Sequence, residues 1–182
     1  DEFKYALRSW FSMSYVVIIR GPAGVGKSAV SRKVATALKG KRFSFDTILR
    51  RHGLDIIDGE GIPTRNFIKA NNIIMPLLER QLRKGPVILD GCFYRDEQVK
   101  NIRQRMACQL FIFSLHAPLD ECVRRNNMRA RKMTVAAVAA VHALASRKNH
   151  GVSIDTVGKS VDTVTREITA RIRSMPSLRL PR

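Results

Sequence analysis

Residues 15–28 read YVVIIRGPAGVGKS, an apolar run followed at once by a glycine-rich segment and then by a stretch of helical character that begins at Lys27. The segment 21–28 matches the pattern GxxxxGKS, known as Walker A. Glycines let the backbone curl so that successive N–H groups point at an anion, and the positive end of the following helix adds to the attraction. A strand, this loop and a helix in that order predict a phosphate-binding loop.

The Walker A pattern predicts which groups contact a bound nucleoside triphosphate. We expect Lys27 to reach the β and γ phosphates, and the Ser28 hydroxyl to bind Mg²⁺. No NKxD sequence for guanine recognition is present, which favours ATP as the nucleotide. The residues predicted to bind the nucleotide are Gly21, Ala23, Gly24, Val25, Gly26, Lys27, Ser28 and Ala29.

Composition narrows the class of protein. The chain has 182 residues, with 33 Lys and Arg against 15 Asp and Glu, for a net charge of +18. Such a charge attracts phosphorylated ligands and polyanions, so an anionic substrate or a nucleic acid is an expected partner. Three cysteines without CxxC spacing indicate neither a disulfide framework nor a zinc site, and they fit a cytoplasmic protein. No apolar stretch is long enough to span a membrane.

Five short apolar runs alternate with longer helical patterns, which predicts an α/β fold with a mostly parallel sheet. The chain from Met13 reads as one domain, and residues 1–12 are expected to be an N-terminal extension, either native or of cloning origin. Pro76 predicts a kink or break in the second long helix. The predicted strands are 15–20, 42–45, 87–90, 110–115 and 152–155, and the predicted helices are 27–39, 65–84, 118–131, 134–148 and 161–173.

With these features in place, the chain resembles the small P-loop kinases typified by zeta toxins, chloramphenicol phosphotransferase and the kinase domain of polynucleotide kinase. The resemblance runs from residue 13 to about 173. It rests on the loop 21–28, FSFDTILR (43–50), VILDG (87–91), FIFSLHAPLDECVRRNNMRAR (111–131) and SIDTVGKSVDTVTREI (153–168). It implies a three-layer α/β/α P-loop NTPase fold at 13–175 with strand order 2-3-1-4-5, a helical lid around 122–135 and a C-terminal tail at 176–182.

The resemblance also implies roles for individual residues. Asp46 matches an aspartate that acts as a candidate general base toward an acceptor hydroxyl, although its place before a short helical stretch equally suits an N-cap. Asp90 matches a carboxylate that meets Mg²⁺, usually through water. Arg125 and Arg129, four residues apart and so expected on one helical face, match arginines of a lid that neutralises the transferring phosphoryl group. Arg124 and Arg131 lie nearby, and the sequence does not decide which of the four faces the phosphates or whether they form a solvated helix face instead. Residues 156–159 match a segment that borders the nucleotide base.

The acceptor is expected between the second and third strands, where Arg50 or Arg65 offers a partner for an anionic substrate group. A glycine at position 91, where hydrolases of the AAA and helicase type commonly carry glutamate, disfavours those ATPases. The implied activity is an ATP-dependent kinase whose acceptor is unknown, with a nucleotide or a nucleic acid end among the possibilities. A nucleotide-dependent nucleic-acid-binding protein, or an ATPase without phosphotransfer, is the alternative.

Overall fold

Five parallel strands form one sheet in the centre of the molecule. The computed structural model describes residues 14–174. The expected extension at 1–12 and the expected tail at 176–182 lie outside this range. The strands are β1 (Tyr15–Arg20), β2 (Lys41–Ser44), β3 (Val87–Gly91), β4 (Gln109–His116) and β5 (Val152–Asp155). Their order is β2-β3-β1-β4-β5, and each neighbouring pair is parallel, which confirms the predicted α/β fold and strand order.

Seven helices occur within the described residues and cover both faces of the sheet. They are α1 (Lys27–Ala37), α2 (Phe45–Arg51), α3 (Thr64–Leu82), α4 (Asp96–Arg105), α5 (Leu119–Asn127), α6 (Val135–Ser146) and α7 (Val161–Ser174). Within residues 14–174, no helix combines the length and the apolar character that crossing a bilayer requires.

Alternating residues of β1 separate the core into two halves. Val17 and Ile19 are fully buried in one cluster with residues of α1, α5, α6 and α7. Val16 and Ile18 are fully buried in the other cluster with residues of α2, α3 and α4. A strand covered on both faces is continuously apolar, as β1 is. This arrangement is the three-layer α/β/α architecture.

Four local expectations were wrong or incomplete. Helix α3 continues through Pro76, so no break occurs there. Helix α5 ends at Asn127 rather than near 131. Asp46 is the second residue of α2, whose N-cap is Ser44, so Asp46 is not an N-cap. Helix α4 had no counterpart among the predicted helices, because its short sequence DEQVKNIRQR carries few apolar residues.

The topology brings several polar residues to one edge of the sheet. The carboxyl end of β1 leads into the phosphate-binding loop, that of β2 leads to Asp46, and that of β3 carries Asp90. Parallel strands place all three carboxyl ends on the same side, where ligands bind in open α/β sheets.

Candidate active site

The loop between β1 and α1 contains backbone conformations that favour glycine. Gly24 has a φ of 85° and Gly26 a φ of 100°. A Cβ on Gly24 would lie 2.2 Å from the carbonyl oxygen of Cys122, so the loop packs directly against α5. A Cβ on Gly26 would meet no atom within 4 Å. Gly26 therefore borders open space, as a phosphate cradle requires.

The N-terminus of α1 is arranged to attract an anion. Its N-cap is Gly26, which offers no side-chain hydrogen bond, and its first turn contains no acidic residue. The carbonyl oxygen of Gly26 accepts from the amides of Ala29 and Val30, both at 3.1 Å. The positive end of the helix dipole is thus left without a negative side chain of its own.

Lys27 is buried and its ammonium lies on the wall of a cavity. Nζ donates to the carbonyl oxygen of Pro22 at 2.7 Å, which ties the side chain back to its own loop. The same ammonium contacts the Cys92 thiol, although burial dominates there and raises the pKa of Cys92 to about 11. Lys27 thus carries a positive charge against the phosphate-binding loop.

Asp46 faces the same cavity from the first turn of α2. The residue is exposed to solvent, but neighbouring protein atoms partly desolvate its carboxyl group. This desolvation raises the pKa of Asp46, with Lys27 opposing the change and the nearby Asp90 charge adding to it. A carboxyl whose pKa is raised toward neutrality is a better proton acceptor than an ordinary aspartate.

Ser28, which lines the cavity, contacts the buried Asp90. Ser28 Oγ donates to Asp90 Oδ2 at 3.1 Å. The same oxygen accepts from Arg42 NH2 at 2.9 Å, and Arg42 Nε donates to Ser31 Oγ at 2.8 Å. Asp90 is only 1% exposed. Its carboxylate is thereby held in one orientation by groups from α1 and β2.

The second oxygen of this carboxylate suits a hydrated metal ion. Asp90 Oδ1 is buried and has no hydrogen-bond partner among residues 14–174, whereas buried polar atoms are normally paired. Those residues also contain no group of three His, Cys, Asp or Glu side chains that could hold a metal by themselves. Mg²⁺ typically takes one or two protein ligands and completes its shell with water and phosphate. Ser28 and Asp90 fit that pattern.

Arg125 joins three parts of the site. Its Nε donates to Glu121 Oε1 at 2.6 Å, and its NH1 donates to the carbonyl oxygen of Val25 at 3.3 Å and to Thr156 Oγ1 at 2.9 Å. Its NH2 donates to the carbonyl oxygen of Thr156 at 3.0 Å. The guanidinium therefore links the phosphate-binding loop to the segment after β5, which was expected to border the nucleotide base.

Arg129 does not share a helical face with Arg125. Helix α5 ends at Asn127, and Arg129 lies in the loop between α5 and α6. The expected helical lid is thus two helix ends joined by a loop. Arg129 nevertheless lines the same cavity as Arg125, together with Arg131 and Lys132 from that loop.

The cavity has a volume of about 690 Å³ and a strongly positive lining. Seven cationic side chains line it against two carboxylates, Asp46 and Asp55. Five of the cations form no ion pair and no side-chain hydrogen bond within residues 14–174: Arg32, Arg50, Arg129, Arg131 and Lys132. Unpaired cations gathered around one cavity predict an anionic occupant.

The structure distinguishes the two arginines that were expected on the acceptor side. Arg50 lies one turn after Asp46 on α2 and lines the cavity. Arg65 pairs with Asp58 at 2.8 Å, both side chains are more than 60% exposed, and Arg65 does not line the cavity. Arg50 is therefore the one available to a bound molecule.

Most residues predicted from the loop line the cavity, and sequence reasoning missed several others. Gly21 and Val25 do not line it, and the Val25 side chain is buried in the core. The missed residues include Arg32, Arg42, Asp55, Ile62 and Cys92. For Cys92 a signal existed, since it lies two residues beyond Asp90 at the end of a strand. For Arg42 and Arg32 no pattern distinguished them from other basic residues.

Comparison with solved structures relates this geometry to known proteins. A gluconokinase from Sinorhizobium meliloti 1021 superposes with a TM-score of 0.63 at 15% identity, covering 90% of this chain and 99% of that one. An APS kinase from Mycobacterium tuberculosis, in complex with AMPPNP and APS, gives 0.68 at 16% identity, covering 89% and 99%. A shikimate kinase from Acinetobacter baumannii, in complex with shikimate, gives 0.60 at 18% identity, covering 92% and 97%. At such low identities the likeness is one of fold.

In sequence, comparison with curated proteins finds no significant relative. The AAA domain family, however, matches residues 16–150. Gly91 stands where ATPases of the AAA type commonly carry glutamate, and a match to the family as a whole does not test that single position. The match covers the phosphate-binding loop, Asp46, Asp90 and the loop of Arg129, and the chain belongs to the AAA domain family.

Proposed function

We propose that this protein is an ATP-dependent kinase that transfers the γ-phosphoryl group to a hydroxyl of an anionic acceptor. One observation carries the proposal: Lys27 and Asp46 face the same cavity, close enough for the Lys27 charge to oppose the rise that burial causes in the pKa of Asp46. A phosphate-binding lysine and a carboxylate beside it are the two groups that such a transfer needs.

The residues suggest how the transfer proceeds. The acceptor oxygen forms a bond to the γ phosphorus while the bond from that phosphorus to the β–γ bridging oxygen breaks, and the nucleoside diphosphate leaves. Asp46 accepts the proton of the hydroxyl. Lys27 and the N-terminus of α1 neutralise charge on the phosphates. Little covalent chemistry is left to the protein, which acts mainly by position and charge.

Ser28 and Asp90 are the proposed magnesium residues. Bound Mg²⁺ would neutralise negative charge on the phosphates of the nucleotide. This chain holds the Ser28 hydroxyl and the Asp90 carboxylate in contact through a hydrogen bond. Arg42 donates a second hydrogen bond to the same carboxylate and so fixes its orientation.

An anionic acceptor is supported by the side chains around Asp46. Arg50 and Arg32 line the cavity from α2 and α1 and form no ion pair or side-chain hydrogen bond within residues 14–174, and Asp55 and Ile62 line it as well. The similarity of 43–50 and 111–131 to zeta toxins, chloramphenicol phosphotransferase and polynucleotide kinase supports a hydroxyl acceptor. The chemical class we favour is a hydroxyl compound that also carries phosphate or carboxylate.

The test is incubation of the purified protein with γ-labelled ATP, Mg²⁺ and a panel of acceptors. The panel spans nucleotides, nucleosides, sugars, sugar phosphates, nucleotide-sugars, antibiotics and oligonucleotides. We expect label in an anionic member and none with Lys27→Ala, which lacks the ammonium beside the phosphates. Release of labelled phosphate without any labelled acceptor would favour an ATPase instead.

A nucleotide-dependent nucleic-acid-binding protein is the second candidate, because the unpaired cations around the cavity also suit a polyanion. Oligonucleotide binding measured at several salt concentrations, with and without Mg-ATP, separates the two. Binding with a steep salt dependence that responds to nucleotide, without phosphorylated product, would support the second candidate.

A further inference from the structure

Asn126, near the end of α5, is a buried polar side chain with an unusual set of partners. It is fully buried. Its Nδ2 donates to the carbonyl oxygen of Met133 at 2.9 Å, and its Oδ1 accepts from the amide of the same residue at 3.1 Å. One amide side chain thus satisfies both backbone groups of a residue seven positions later. This pair of hydrogen bonds closes the loop 128–132 at its base.

The loop that Asn126 closes carries three of the unpaired cations of the cavity. Arg129, Arg131 and Lys132 are exposed, and none of them has an ion pair or a side-chain hydrogen bond within residues 14–174. Like charges at this spacing repel one another, so these side chains do not themselves order the loop. Its ordering therefore depends on the hydrogen bonds at its two ends, where the side chains of Asn126 and Thr134 bond to backbone groups. At the far end, Thr134 caps α6 by accepting from the amide of Ala137.

We infer that Asn126 is a positioning residue that holds the cationic loop 128–132 over the phosphate-binding cavity. The inference rests on the proposed function. Asn126 itself does not line the cavity, so its effect passes through Arg129, Arg131 and Lys132. Cations held in fixed positions stabilise the charge that develops on the phosphoryl group better than cations on a mobile loop do. The reason is that fixed side chains need not reorient when that charge forms.

The chain offers a matched control beside the residue in question. Asn127 is exposed, and its side chain makes no hydrogen bond with any described residue. Asn126→Ala removes both bonds to Met133, whereas Asn127→Ala removes the same side chain one position later and leaves those bonds intact. Asn126→Asp keeps an acceptor for the Met133 amide and loses the donor to its carbonyl. It should therefore fall between the two.

The first measurement is limited trypsin digestion, since Arg129, Arg131 and Lys132 are cleavage sites within the loop. We expect cleavage at these sites to be roughly tenfold faster in Asn126→Ala than in Asn127→Ala, because the loss of two hydrogen bonds favours opening. Hydrogen exchange at the Met133 amide should accelerate in parallel. Thermal melting identifies any variant that fails to fold, in which case Asn126→Asp provides the comparison.

The second measurement is calorimetric binding of Mg-AMPPNP, which requires no acceptor. We expect Asn127→Ala to bind as the wild type does, and Asn126→Ala to bind several-fold more weakly and to gain less protection from trypsin. Equal cleavage of the two alanine variants would overturn the inference, as would a loosened loop with unchanged binding. If the wild type binds no Mg-AMPPNP, the proposed function fails, while the digestion still decides whether Asn126 orders the loop.

Discussion

Asp46 carries the most specific residue-level prediction. Replacing it with asparagine keeps the shape but removes the proton acceptor, so we expect nucleotide affinity close to that of the wild type and phosphoryl transfer slower by roughly 10²–10⁴-fold. Calorimetry with Mg-AMPPNP and transfer from γ-labelled ATP measure the two quantities. Transfer at the wild-type rate would show that the base is another group.

The same substitution has a predicted effect on stability. Because the pKa of Asp46 is raised in the folded protein, the folded state binds its proton more tightly than the unfolded state does. Stability from this group is therefore present at low pH and lost as pH rises through the unfolded and then the folded pKa. At neutral pH, Asp46→Asn should melt at the same temperature as the wild type or higher. In the wild type, the rate of transfer should fall as the pH is lowered, and this fall should begin at a pH above the pKa of an ordinary aspartate.

Arg50 and Arg65 form a matched pair for testing the acceptor. Arg50 lines the cavity without an ion pair, whereas Arg65 is paired with Asp58 outside it. We expect Arg50→Gln to raise the KM for an anionic acceptor by roughly tenfold, the effect of one charge-assisted hydrogen bond. Arg65→Gln should leave that KM unchanged. Equal effects of the two substitutions would indicate that general charge, rather than a specific contact, attracts the acceptor.

The sequence predicted those site residues whose position follows from a local pattern. Lys27 and Ser28 belong to a motif, and Asp46 and Asp90 follow the ends of predicted strands. Arg42 was missed because its role arises only from the sheet: β2 pairs with β3, and this pairing brings the guanidinium to Asp90. No pattern along the chain records that contact.

At the scale of elements, helix α5 shows why helix ends are hard to predict. The run of helix-compatible residues suggested a continuation to about 131, yet the helix stops at Asn127. The Asn126 side chain bonds to the backbone of Met133 instead of facing solvent, and Asn competes in this way with helical structure. A bond to a residue seven positions away depends on the folded loop. The expectation for Arg129 failed for the same reason.

Helix α5 also holds Arg125 in place through Glu121. The carboxylate accepts from both Arg124 and Arg125, which holds the pKa of Glu121 down at about 2. Glu121→Gln removes the charge from this arrangement and loosens Arg125 from Val25 and Thr156. Partly exposed ion pairs are screened by water and contribute little, so we expect nucleotide affinity to fall by no more than about fivefold, measured by calorimetry.

Glu167 on α7 provides the control for that measurement. Its carboxylate likewise pairs with two cations, Lys159 and Arg171, at a similar exposure. Because Glu167 does not line the cavity, Glu167→Gln should alter thermal stability slightly and nucleotide affinity not at all. A loss of affinity equal to that of Glu121→Gln would mean that the Glu121 effect is not transmitted through Arg125.

For the whole molecule, the alternation of strands and helices was enough to predict the layers and the sheet. Five apolar runs matched five strands within about one residue at each end, because strands buried on both faces are continuously apolar. The site was less predictable, since it is assembled from the loop after β1, helix α2, the end of β3 and the loop after α5. Their convergence on one cavity is a property of the topology.

Net charge acts at this largest scale and leads to the last prediction. A chain of charge +18, with unpaired cations around its cavity, should draw an anionic acceptor toward the site from a distance. Salt screens that attraction, with a Debye length of about 10 Å at 0.1 M. We therefore expect kcat/KM for the acceptor to fall several-fold between about 50 and 200 mM salt while kcat changes little. For a neutral acceptor, kcat/KM should change very little over the same range of salt. An identical decline for both acceptors would mean that salt acts on the protein itself rather than on its encounter with the acceptor.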